Sequence, residues 1–82
     1  MEAWAIRVQN VRRGVGMTQG EFARALGVSV QTIVGWEKQL FRPYSELAEW
    51  FIEIEKKFQL GDLPVLTSED EDNWKAFFEA GD

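Results

Sequence analysis

The sequence predicts an all-α chain: a compact domain of five or six helices whose last is acidic and aromatic. Three observations predict it. Apolar residues recur at three- and four-residue spacing along most of the chain, the period of a helix with one buried face. Thr18-x-x-Glu21 and Ser68-x-x-Glu71 each spell a capping box, in which hydroxyl and carboxylate satisfy orphan backbone N–H groups at a helix start. Glycines fall where the periodic stretches stop, at Gly14, Gly16, Gly27 and Gly81.

The first helix is expected over about 3–14, with Trp4, Val8 and Val11 facing the core and Ile6 beside them. Gly14-Val15-Gly16 ends it. Helix two runs about 18–26, capped by Thr18, with Met17 and Phe22 placed to form a hydrophobic staple. Gly27 ends it in the left-handed conformation, and Ser29 caps helix three at about 30–39, with Val28 and Ile33 as a second staple. Helix, glycine turn, capped helix is a helix-turn-helix. Pro43 suits the start of helix four, with Ser45 as the alternative cap. Leu47, Trp50, Phe51, Ile54 and Phe58 make its apolar stripe. Gln59 to Thr67 reads as a linker, and Trp74, Phe77 and Phe78 line one side of a final helix.

With 82 residues there is room for one small core. The absence of Cys and His excludes disulfides and the usual soft-metal sites, so neither metal nor cofactor is expected. No apolar run approaches the roughly 20 residues that span a bilayer, and no signal peptide is visible, so a soluble cytoplasmic protein is expected. No catalytic constellation appears either: no His stands near a hydroxyl nucleophile, and no glycine loop cradles phosphate. An enzyme is not expected.

Charge is unevenly spread. Residues 1–44 carry six Lys/Arg against three Asp/Glu, residues 45–82 three against eleven, together the net −5 of the chain. The half that holds the helix-turn-helix is therefore basic, and the field of that face governs phosphate attraction. The acidic remainder predicts weak non-specific affinity and steep salt sensitivity.

Helix three is the candidate reader. Stepping 100° per residue from Ile33 places Val30, Trp36, Glu37 and Leu40 within about 60° of the inward direction. Gln31, Gly35 and Lys38 face out, with Thr32 and Val34 on the flanks. That outward set is what an inserted helix offers the major groove of double-stranded DNA. Gln31 can pair bidentately with adenine, Val30 and Val34 can meet thymine methyl groups, and Thr32 can bond a base or a phosphate. Gly35 reads no base; it either allows close backbone approach or is simply tolerated. Trp36 belongs to the core.

Thr18-Gln19, Phe22-Ala23, Leu26-Gly27-Val28-Ser29, Thr32-Ile33, Trp36-Glu37 and Arg42-Pro43 together resemble the Cro/C1-type helix-turn-helix family, over roughly residues 6–57. The resemblance implies a lambda-repressor-like fold and a homodimeric, sequence-specific regulator, most simply a repressor. Residues 1–58 would form the DNA-binding domain, and 59–82 a linker with the C-terminal helix. It implies an ion pair between Arg12 and Glu37, and a phosphate contact by Gln19 whose amide also braces the reading helix. Thr18, Lys38, Arg42 and Tyr44 complete the expected backbone contacts. The wording from Phe22 to Glu37 also resembles antitoxin regulators that partner toxins.

Two departures stand out. Gly20 occupies a position where the family usually has a charged helix former. After Trp36-Glu37-Lys38, Gln39 replaces the family's glycine, and Leu40-Phe41 replace basic residues. These last two are either buried or part of a protein interface. Trp50 belongs either to the core or to a dimer or partner surface, and Trp74, Phe77 and Phe78 are expected to be buried somewhere: docked on the parent domain, packed across a dimer, or against another protein. Two other functions stay open: an antitoxin whose acidic, aromatic tail covers a toxin, and an interaction adaptor that engages another protein such as the transcription machinery.

Overall fold

The structure, a computed structural model, describes residues 3–64, 66 and 73–75. Among them are four helices and no strand: α1 (Trp4–Gly14), α2 (Gln19–Leu26), α3 (Val30–Glu37) and α4 (Ser45–Leu60). Five or six are expected over the whole chain, and the last of these falls largely outside the described residues, although Trp74 and Lys75 are helical. The Ser68–Glu71 box, Phe77, Phe78 and Gly81 lie outside the described residues.

Local chemistry sets the two central helices. The Thr18 hydroxyl accepts from the Glu21 N–H at 3.1 Å, and the Glu21 carboxylate accepts from the Thr18 N–H at 2.8 Å. That backbone donor, and then the Thr18 side chain, hold the Glu21 carboxyl below the usual glutamate range. The box is therefore intact at neutral pH, and its stabilisation is lost only as pH falls through the lowered value. Ser29 caps α3 through the Thr32 N–H at 3.2 Å. Helix α4 departs from expectation: Ser45 is its first residue and not its cap, and Tyr44 holds the N-cap position without a side-chain bond.

All four helices end in the same way. A residue in the left-handed conformation donates to the carbonyl three back, and its successor to the carbonyl five back, which closes the last orphan carbonyls. Glycine holds the left-handed position in three of them, at Gly16, Gly27 and Gly61. In α3 it is Gln39, with φ of 62°. Its N–H meets the Trp36 carbonyl at 3.2 Å, and the Leu40 N–H meets that of Gly35 at 2.9 Å. Helix α3 consequently stops at Glu37, short of the 39 expected, and Leu40 leaves the helical wheel that pointed it inward. It is 72% exposed. A residue with a Cβ pays roughly 1–2 kcal/mol in that conformation. Gln39→Gly is expected to stabilise the fold by about 1 kcal/mol, raising the urea midpoint with an unchanged m-value.

Val8 and Val11 of α1, Phe22 and Leu26 of α2, Ile33 and Trp36 of α3, and Phe51 and Ile54 of α4 share one core. Two contacts lock α4 to α1. Arg7 stacks over the Trp4 ring at 4.5 Å and pairs with both oxygens of Glu55, while the tip of the Phe58 ring abuts Gly14, where a Cβ would fall 2.2 Å from its Cζ. The Trp50 indole N–H caps the end of α2 by donating to the Leu26 carbonyl at 3.0 Å.

The segment after α4 returns to this core. Leu63 and Leu66 pack against it, and Trp74 is buried there at 1% exposure, its ring edge-on to Phe22 with centroids 6.0 Å apart. The Trp74 indole N–H donates to the Pro64 carbonyl at 3.0 Å. Asn73 crosses the α2–α3 turn so closely that a Cβ on Gly27 would lie 2.9 Å from its amide nitrogen. The tail therefore straps the helix-turn-helix from behind.

Candidate nucleic-acid interface

One carboxylate joins three helices. Glu37, at the end of α3, accepts from Arg12 Nε at 2.6 Å through one oxygen. Its other oxygen accepts from a terminal Arg12 nitrogen at 3.1 Å and from the Gln19 amide at 3.2 Å. Arg12 donates a further bond to the Met17 carbonyl at 3.1 Å, on the turn between α1 and α2. The Arg12 and Glu37 side chains are only 15% and 5% exposed. A planar guanidinium matches a carboxylate with two parallel bonds, so the pair fixes direction as well as distance. What it fixes is the pose of α3 against the N-terminus of α2.

On that frame the residues of the reading face fall as follows. Gln31 and Lys38 are exposed, and Val34 is half-buried on the flank. Val30, placed inward by the helical wheel, is 42% exposed at the open first turn of α3. The Thr32 side chain is partly committed: its hydroxyl lies 2.9 Å from that of Ser29, within the cap. Gly35 requires correction. The wheel faced it outward, but it is buried, because the Phe41 ring lies on it. Phe41 itself is 50% exposed.

At the rim, Arg42 is exposed and Tyr44 is 65% exposed. The Thr18 hydroxyl serves the cap of α2 and retains a second lone pair and its O–H. Gln19 uses one amide hydrogen on Glu37 and keeps the other, beside backbone N–H groups at a helix start that favour an anion.

The surface assigned to a dimer or partner changes most. Trp50 is spent within the chain, its indole bonded to Leu26 and its ring against the core. Trp74 is buried in that same core, in cis. The apolar stripe of α4 is packed on the core, and periodicity reports that a face is apolar and not what covers it. Phe77 and Phe78 fall outside the described residues. Sequence reasoning also missed the Arg7–Glu55 pair, for which the signal was an arginine one helical turn after Trp4 in α1. It missed the seat that Gly35 makes for Phe41 as well.

A capped pair of short helices, braced by a shared carboxylate and presenting an exposed polar strip with cations at its rim, defines a DNA-binding helix-turn-helix. Residues 8–43 match a family model described as helix-turn-helix, a match that supports a DNA-binding transcription regulator of the Cro/C1 type. No curated protein and no solved structure matches the chain. Helix α4 and the Trp74 strap lie beyond the matched segment. Among the described residues no helix is long and apolar enough to cross a membrane.

Proposed function

We propose that the protein is a sequence-specific repressor that binds palindromic DNA as a homodimer, laying α3 of each copy in the major groove. The observation that carries this reading is the pose of α3: its outer strip is open at Gln31 while the Arg12–Glu37–Gln19 cluster anchors its far end. Gln31 pairs with an adenine, and Val30 and Val34 flank it against thymine methyl groups. Gln19, Lys38, Arg42 and Tyr44 hold the phosphates to either side, with Thr18 at the helix start. Two such helices in one dimer meet half-sites about 34 Å apart. Trp74 would have to leave its own core to serve a toxin or another partner, so no observation favours the antitoxin or adaptor readings over this one.

Gln31→Ala tests it. On the duplex that wild-type protein enriches from a random-sequence pool, the variant is expected to lose about 1–3 kcal/mol of affinity and to tolerate any base at one position. A gel shift with unrelated DNA as competitor measures this. Enrichment of no particular duplex, at low or physiological salt, would sink the proposal.

A further inference from the structure

The reading strip of α3 is completed from outside the helix. Gly35 lies one turn beyond Gln31 on the same side of α3, since residues four apart stack along a helix. It offers the groove no side chain. The chain instead turns sharply at Gln39, the Leu40 N–H bonds back to the Gly35 carbonyl at 2.9 Å, and the next residue lays its ring on the bare backbone. The fit is close: a Cβ at position 35 would fall 2.3 Å from both Cε1 and Cζ of Phe41. Only glycine lets the ring settle there.

The seated ring is still half exposed, at 50%. A large apolar ring left half in water over Gly35, one turn along α3 from Gln31, is an unfavourable surface for a free protein, and a favourable one once a groove covers it. In the major groove, the apolar feature it meets is the 5-methyl group of thymine, a contact that phenylalanine makes. A phosphate gives a phenyl ring nothing.

We propose that Phe41, held on Gly35, is a base-reading residue that contacts a thymine 5-methyl group on the Lys38 side of the base read by Gln31. This rests on the DNA-reading function proposed above and adds to it a specificity-determining residue supplied by a loop. Val30 and Val34 read at other positions, so the Phe41 contact is separable from theirs.

The test uses the duplex that wild-type protein enriches, remade with each thymine singly replaced by deoxyuridine, which removes only the methyl group. Wild type is expected to lose roughly four-fold in affinity at the Phe41 position, the amount one buried methyl is worth. Phe41→Ala is expected to bind thymine and uracil equally there while keeping its sensitivity elsewhere. Gly35→Ala reaches the same end differently: the added methyl displaces the ring, yet alanine favours the helix, so the fold holds. It too is expected to lose discrimination at that one position, with a melting temperature no lower than wild type. If both variants weaken binding to thymine and uracil duplexes alike, or leave every ratio unchanged, Phe41 is only a roof on α3 and the assignment falls. Enrichment of no duplex by wild type would overturn the DNA-reading function itself, and this assignment with it.

Discussion

Arg12→Ala is expected to destabilise the protein by about 3–5 kcal/mol, read as a drop in the urea midpoint. The magnitude comes from what is left behind. Glu37 is 5% exposed, and without Arg12 its carboxylate keeps one bond, from the Gln19 amide. A buried charge with a single neutral donor is among the costliest states a fold can hold. Glu37→Ala should be milder, because the stranded guanidinium is more exposed and still reaches the Met17 carbonyl. Replacing both partners with apolar residues should recover much of the loss, since the pair barely offsets its own desolvation. Equal costs for the two single variants, each under 1 kcal/mol, would mean that the pair behaves as surface charges do.

Trp74→Ala is expected to cost about 3–5 kcal/mol, the range for emptying an aromatic site in a core. The indole is 1% exposed, meets Phe22 edge-on and donates to Pro64, so truncation removes packing and strands a carbonyl. Trp74→Phe should restore most of the packing but not the bond, leaving about 1 kcal/mol of the loss. Chemical denaturation of both variants separates the two contributions. A Trp74→Ala variant as stable as wild type would show that the strap does not close on the core in solution.

What the sequence made legible was local. Thr18 and Glu21, Ser29 as a cap, and the glycines past α1 and α2 act within a few residues of themselves, and the helices they bound fall within one or two residues of expectation. The end of α3 had one mark, Gln39 standing where the related family has glycine, but a glutamine by itself carries no sign of a left-handed backbone. The helix was read on to 39, and Leu40 was drawn inward with it. Gly35 was misplaced for a related reason: its cover comes from six residues on, around a turn that the helical wheel does not follow. Arg7 with Glu55, and Trp50 with Leu26, join elements far apart in the chain, where spacing has nothing to say. Trp74 shows the limit most plainly. Its burial was expected somewhere, yet whether the place lay within this chain depended on three-dimensional closure.

That closure has a consequence in time. The contacts that join α1, α2 and α3 span shorter stretches of chain than the strap does and are expected to form before it. Trp74 reaches Phe22 only by drawing most of the polypeptide into one loop, a loss of freedom met before the contact gives anything back. A contact made after the folding barrier is crossed barely alters the rate of folding and mainly sets the rate of unfolding. The strap is thus expected to act as a latch: Trp74→Ala should speed unfolding of the helix-turn-helix and leave its folding rate nearly unchanged in stopped-flow measurements.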